Sequence, residues 1–177
     1  MKLFYLWLPM AIALLLSACA DAPVKKITVN PNSLVGKQVI TSLACSYHLT
    51  EVTDARAAGD RAGGLGLNML LLQDPAGMVK DQLLKAGMKP ENSMESRGVS
   101  VRIMHMYVTQ TLVTKIPVVV YEVKLENATP WLVRAQPATM NWNASGNEAH
   151  AAFSKALQLA NNQMVDSLNA KCSPAIS

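Results

Sequence analysis

The stretch GVSVRIMHMYVTQTLVTKIPVVVYEVKLE, residues 98–126, decides the fold class. In its first part, residues 98–110, apolar side chains recur at every second position, which is the period of a strand with one buried face. Its second part, residues 117–126, is almost continuously apolar, as expected for a central strand covered on both sides. The stretch therefore predicts two long strands of one sheet.

Further strands are predicted on either side of this stretch. Residues 38–49 also alternate between apolar and polar side chains, and residues 131–142 form a fourth run. Pro137 places that run at a sheet edge or a bulge, because proline cannot donate a ladder hydrogen bond. Two short apolar runs, 27–29 and 69–72, are predicted as an additional edge strand and a short strand.

Two segments contain the residues that typically begin and end helices. Asp74 and Pro75 suit a helix start and Gly87 suits its exit. Ser145 and Glu148 have capping-box spacing before a stripe of alanine and leucine at three- and four-residue steps that ends near residue 172. The whole pattern predicts an α+β fold: a mainly antiparallel sheet of about four strands with two helices packed on one face.

The amino terminus has the form of a lipoprotein signal. Lys2 precedes the apolar run 3–16, which is too short to span a bilayer, and Ser17 and Ala18 lead directly to Cys19. This lipobox resembles the substrates of lipoprotein signal peptidase, which implies acyl chains, palmitate among them, on a mature amino-terminal Cys19. The same resemblance implies sorting to the periplasmic face of the outer membrane, since Ala20 and not Asp follows the cysteine.

These signals divide the chain into a signal peptide (1–18), a lipid-anchored tether (19–33) and a single α+β domain (34–177). The net charge of the 177-residue chain is +4 and its charged residues are scattered. The sequence gives no indication of nucleic-acid binding, because its basic residues are not clustered and its signal predicts a periplasmic location.

Cys45 and Cys172 remain after lipidation uses Cys19. In an oxidising compartment we expect these two cysteines to form a disulfide, the alternative being two separate buried thiols. A metal site is not expected at either cysteine, because no His or Cys companion lies at ligand spacing.

The chemical motifs are weak. The glycine-rich segment 59–66 lacks the Gly-Lys-Ser/Thr of a phosphate loop and is predicted to be a flexible connection. Met104-His105-Met106 carries ligands that suit copper, but on a strand His105 faces away from both methionines, so packing is favoured. The sequence contains no GxSxG nucleophile motif, and we predict no enzymatic activity, no cofactor and no metal.

Four residues are candidates for partner binding. Asp54 and Arg56 end the first predicted strand and are either a binding site or a salt-bridged turn. Trp131 and Trp142 bracket the fourth strand and either anchor an interface or fill the core.

The chain resembles the YajG-like group of small bacterial lipoproteins. The resemblance rests on the lipobox, on the segments 27–31 and 52–56, on the Asp74-Pro75 helix start, on the valine strand and on the helix that follows residues 142–146. It implies an envelope lipoprotein and supplies no catalytic residues.

The leading functional hypothesis is a non-enzymatic, lipid-anchored accessory or scaffold subunit of an envelope assembly or transport complex, held to the membrane by its acyl chains and bound to a protein partner. The alternative is a carrier or sensor of a small apolar or lipidic ligand. Eight of the ten methionines lie in the mature chain, and methionine is common on adaptable binding surfaces.

Overall fold

The computed structural model describes residues 24–33, 41–90, 95–111, 114–137 and 145–172. These ranges contain seven strands, two α-helices and one 3-10 turn at Pro31–Ser33. The strands are β1 (Lys25–Val29), β2 (Tyr47–Asp54), β3 (Arg61–Leu65), β4 (Asn68–Leu72), β5 (Arg97–Gln110), β6 (Lys115–Leu125) and β7 (Trp131–Ala135), and the helices are α1 (Pro75–Lys85) and α2 (Gly146–Ala170).

The four predicted strands form one sheet with the order β2-β5-β6-β7. Strands β5 and β6 pair antiparallel from Val99 opposite Leu125 to Gln110 opposite Lys115. Strand β7 pairs antiparallel with β6 at one edge, as Pro137 predicted, and β2 pairs parallel with β5 at the other. The α+β class and the mainly antiparallel pairing are therefore confirmed.

The predicted boundaries of β2 and β7 differ from the observed ones. Residues 41–46, expected within the first strand, are not part of the sheet, and β2 instead continues from Tyr47 to Asp54. The fourth strand ends at Ala135, and residues 138–142 of the prediction lie outside the described residues. This segment is instead held against α2, whose Asn162 and Asn169 side chains form hydrogen bonds with its backbone.

A second, three-stranded sheet with the order β1-β4-β3 was not predicted. The glycine-rich segment was expected to be a flexible connection, and that prediction is wrong for residues 61–65, which form β3 antiparallel to β4. Ala62 and Leu65 are fully buried, and this burial compensates for the poor strand propensity of glycine. Strand β1 adds to the other side of β4 in parallel, so part of the expected tether is folded into the domain.

Both helices begin at the predicted capping residues. The Asp74 carboxylate accepts a hydrogen bond from the backbone N of Gly77 at 2.9 Å. Ser145 Oγ accepts from the backbone N of Glu148, whose carboxylate accepts from the backbone N of Ser145, which completes the capping box. The expected stripe of α2 is buried, including Phe153, Leu157 and Met164.

The two helices cover one face of the four-stranded sheet. Helix α1 packs against β2, while α2 packs against β6 and β7 and also reaches β1. The helices contact each other, and Asn161 Nδ2 of α2 donates to Gln82 Oε1 of α1 inside the core. The long helix thus joins the two sheets, which explains why its buried stripe extends over its whole length.

The segment before β2 is attached to the carboxyl-terminal half of α2. The backbone N of Thr41 donates to Asn162 Oδ1 at 3.2 Å, and that of Ala44 donates to Asn169 Oδ1 at 2.8 Å. The same attachment brings Cys45 and Cys172 to a Cα–Cα distance of 6.0 Å, which is compatible with a disulfide. Cys19 lies outside the described residues.

Two buried tyrosines differ in whether their hydroxyls are paired. Tyr47 Oη donates to the Leu168 carbonyl at 2.8 Å, whereas the Tyr121 hydroxyl has no hydrogen-bond partner among the described residues. Burial raises the pKa of both phenols, and for Tyr47 the nearby Arg97 partly opposes that rise. Each phenol is therefore held neutral in the folded protein.

Replacing these tyrosines by phenylalanine is expected to have opposite consequences. Tyr47→Phe loses a buried hydrogen bond and should lower the free energy of unfolding by about 1 kcal/mol, whereas Tyr121→Phe removes an unpaired hydroxyl and should leave the free energy of unfolding equal or higher.

The stability of the wild-type protein should also fall above about pH 10. Unfolded tyrosine ionises there, whereas the raised pKa of Tyr121 keeps its phenol protonated in the folded state, and Tyr121→Phe should therefore lessen the fall. Urea titrations at pH 7 and pH 10.5 measure both effects; a larger loss for Tyr121→Phe at pH 7 would contradict the assignment.

Candidate functional site

A cleft opens where β2 separates from β5. Strand β2 pairs with β5 as far as Asp54, opposite Ile103, and the backbone N of Ala55 still donates to the Ile103 carbonyl at 3.0 Å. The register of β5 then shifts between Ile103 and His105, which marks a β-bulge. Bulges bend a strand and often lie beside functional sites, since they redirect side chains.

The chain closes the other side of this cleft through β3. After Asp54 it turns through residues 57–60 and returns as β3, where Gly63 lies directly against Val108 of β5. The space left beside the bulge, here called the bulge cleft, has a volume of about 220 Å³. Its wall includes Arg56 before the turn, Arg61 at the start of β3, and Met104, His105 and Tyr107 from β5.

Arg56 is the most unusual group in the bulge cleft. Its Nε and Nη2 atoms each donate to the Asp54 carboxylate at 2.8 Å, and its side chain is only 3% exposed. The remaining nitrogen, Nη1, is buried and has no hydrogen-bond partner among the described residues. A buried donor without an acceptor costs about 1–3 kcal/mol, and more when it belongs to a charged group, so this nitrogen favours an acceptor from outside.

The Met104-His105-Met106 motif contributes to the cleft as a wall. Met106 is buried in the core, His105 is exposed, and Met104 is the extra residue of the bulge. The His105 and Tyr107 rings are perpendicular to each other, with 6.2 Å between their centroids. No cluster of three or more His, Cys, Asp or Glu side chains suited to a metal ion occurs in the described ranges.

The cleft opens near the face of the four-stranded sheet that the helices leave uncovered, here called the outer face. On this face, Arg102 of β5, Glu122 of β6 and Leu132 of β7 lie opposite one another across three strands. In the next set of paired residues, His105 of β5 and Arg134 of β7 lie on either side of β6. Leu132 is 67% exposed. The Arg102–Glu122 ion pair at 2.7 Å is open to solvent, where such pairs contribute little stability, so its residues remain available to a partner.

The structure joins some of the predicted partner-binding residues and separates others. Asp54 and Arg56 form a bidentate ion pair at the bulge cleft. Trp131 lies at the opposite edge of the sheet, three strand spacings or roughly 14 Å away. Its ring packs against the core with the Lys171 ammonium 4.9 Å from its centroid, and Trp142 lies outside the described residues.

Sequence reasoning missed that the glycine-rich turn and the Met104-His105-Met106 strand share one cleft. About 40 residues separate Arg61 from Met104 along the chain, so only the return of β3 to β5 brings them together. The signal in the sequence was that two arginines, Arg56 and Arg61, flank a turn that ends beside a strand.

A second open cleft of about 380 Å³ lies between β2 and the start of α1.

Comparison with known proteins supports the fold only. The chain is similar to the crystal structure of protein XCC0632 from Xanthomonas campestris, which carries the family model DUF330. The TM-score is 0.54 at 12% sequence identity, over 78% of this chain and 91% of that one. No family model and no curated protein matches the sequence. None of the helices within the described ranges has the length and apolar character required to cross a bilayer.

Proposed function

We propose that this protein is a non-enzymatic accessory subunit of an envelope complex, anchored to the outer membrane through lipidated Cys19. It docks on a protein partner by receiving an acidic side chain of that partner in the bulge cleft. The lipobox supports the anchor and the oxidising compartment in which Cys45 and Cys172 would pair. The sequence motifs quoted above further support a relationship to the YajG-like lipoproteins.

The observation that carries the docking proposal is the unpaired Nη1 of Arg56. Asp54 satisfies two guanidinium nitrogens and holds the side chain in place, which leaves one donor for a ligand. A carboxylate is a strong acceptor for this nitrogen, because a hydrogen bond between two ionised groups is roughly twice as strong as one between neutral groups. The cleft is therefore preorganised for an acidic group, which lowers the entropic cost of binding.

The charge around the cleft is complementary to such a group. Arg61 lies at the cleft wall, and Arg134 and Arg102 are exposed on the adjoining outer face. Exposed cations around a binding site raise the rate at which an acidic surface associates, and the effect decreases with salt. Exposed Leu132 adds an apolar contact of the kind found at protein interfaces.

The size of the cleft favours a side chain over a free ligand. Pockets for small molecules usually span roughly 300–1,000 Å³, and the bulge cleft of about 220 Å³ lies below that range. Met104, Met106 and Tyr107 nevertheless give it an apolar lining, so a small apolar acid is the second candidate and corresponds to the carrier hypothesis.

The proposal is tested by capturing partners of the lipidated, full-length mature protein from crosslinked envelopes and identifying them by mass spectrometry. We expect a partner in stoichiometric amount with the wild type, and at least about tenfold less with Arg56→Gln, because truncating one member of a buried charged contact weakens binding by several kcal/mol.

Lys155→Gln is the control for the loss of a positive charge, since Lys155 is an exposed cation of α2, which covers the opposite face of the sheet. Arg61→Gln removes a cation from the cleft wall without removing the Asp54 contact, and thus separates lost binding from lost folding. Full recovery of the partner with both Arg56→Gln and Arg61→Gln would refute docking through the cleft. Capture of a small acid in place of a protein would favour the carrier function.

A further inference from the structure

One end of the three-stranded sheet exposes apolar and basic side chains together. Val24 is 53% exposed and Leu67, in the turn between β3 and β4, is 67% exposed. Lys25 pairs with Asn68, so Val24 and Leu67 immediately precede paired residues on adjacent strands. Strand spacing of about 4.8 Å therefore makes them neighbours. This end, defined by Val24, Lys25, Lys26 and Leu67, is here called the sheet tip.

The sheet tip has a fixed position in the fold. Gly66 adopts φ +59 at the turn, which glycine tolerates without strain, and its backbone N donates to Gln110 Oε1 of β5 at 3.4 Å. Strand β4, which follows the turn, forms backbone hydrogen bonds with both β1 and β3 and so fixes the turn within the sheet. Leu67 is thus presented on a supported turn between two sheets.

The covalent chain places the sheet tip close to the anchor. Five residue steps separate Cys19 from Val24, and a fully extended chain covers at most about 18 Å in that number of steps. Strand β1 begins at Lys25, so the folded domain starts one residue later. Any lipid attached to Cys19 therefore keeps this end of the molecule next to the bilayer.

We infer that the sheet tip rests on an anionic lipid surface, with Leu67 and Val24 entering the headgroup region and Lys25 and Lys26 facing the phosphates. The inference rests on the lipid anchor of the proposed function. Apolar side chains flanked by lysine are the combination that binds the membrane interface, because lysine stems extend along apolar surroundings while the ammonium reaches phosphate.

This orientation determines where a partner can bind. Strand β3 runs from Arg61 at the bulge cleft to Leu65 beside the sheet tip, a distance of roughly 13 Å at the usual rise per residue. The cleft and the sheet tip therefore lie at opposite ends of β3. With the tip on the membrane, the cleft lies at the end of β3 that is remote from the lipid.

The test measures the depth of the tip in the bilayer. Lipidated full-length mature protein, with its acyl mass verified by mass spectrometry, is reconstituted into vesicles of phosphatidylethanolamine and phosphatidylglycerol whose acyl chains are brominated near the headgroup. Tryptophan is introduced as Leu67→Trp or as Leu132→Trp, a control with the same 67% exposure on the outer face. The signal of native Trp131 and Trp142 is subtracted with the wild-type protein.

Bromolipid should quench the added fluorescence of Leu67→Trp by about twofold or more and leave that of Leu132→Trp nearly unchanged, because contact quenching requires immersion in the interface. Weak quenching of both variants in verified acylated protein overturns the sheet-tip inference and leaves the anchored docking function intact. Absence of the acyl mass overturns the anchor, and with it both the proposed function and this inference.

Discussion

Replacing both Cys45 and Cys172 by serine is expected to lower the free energy of unfolding by about 4–5 kcal/mol. The two residues are 127 positions apart, so their bridge would restrict most of the unfolded chain, and the chain-entropy model predicts a loss of this size for such a loop. Most small proteins are stable by about 5–15 kcal/mol, so the loss would be a large share of the total. Denaturant titration followed by circular dichroism measures it.

The local structure indicates that the end of α2 would lose stability first. The bridge lies beside the hydrogen bonds of Ala44 with Asn169 and of Tyr47 with Leu168, which attach the segment before β2 to the end of α2. Without the bridge, only noncovalent contacts, among them the hydrogen bond from Arg97 to the Lys171 carbonyl, would hold the end of the helix. We therefore expect amide hydrogens in the last turns of α2 to exchange faster in the double serine variant.

Reduction provides the control for this prediction. Wild-type protein in reductant should unfold at the same denaturant concentration as the double serine variant, and the variant itself should not respond to reductant. Denatured, lipidated wild-type protein should contain two free thiols after reduction and none before. Two free thiols before reduction would show that Cys45 and Cys172 do not pair.

The second large effect is expected at Gly63, where β3 meets β5. A Cβ atom at this position would lie 2.5 Å from the Val108 carbonyl oxygen, and the backbone has φ +101, which residues with side chains rarely adopt. Gly63→Ala therefore combines backbone strain with a clash against another backbone. We expect a loss of about 3 kcal/mol or more in the free energy of unfolding.

Gly64→Ala is the matched control one residue away. Its Cβ would lie 3.6 Å from the Asn68 carbonyl oxygen, an ordinary van der Waals contact. We expect a change within about 1 kcal/mol, which is typical of a glycine replaced where space and conformation allow it. Similar losses for both variants, measured by thermal and denaturant unfolding, would contradict the close approach of β3 to β5.

The candidate site was predictable only in part. Asp54 and Arg56 were singled out because opposite charges stood at a strand end, and the structure shows them paired. Their neighbours in the cleft, Met104 and His105, belong to a motif for which the strand pattern predicts packing and not copper binding, and nothing in the sequence links that motif to Asp54 and Arg56. The unpaired nitrogen of Arg56 depends on which groups surround it in three dimensions, so no sequence pattern could indicate it.

The sequence by itself determined the elements whose signals are local. The capping groups Asp74 and Ser145, the strand alternation of residues 98–110 and the buried stripe of α2 each act within a few residues, because capping and side-chain periodicity are properties of one element.

Only the tertiary structure decided how these elements combine. The parallel pairing of β1 with β4, the packing of β3 against β5 and the meeting of Arg56 with the β5 bulge each join residues about 40 to 50 positions apart in the chain. Such pairings gain their free energy from burial between distant segments, as Ala62 and Leu65 show, and that burial overrides the local preference of glycine for turns.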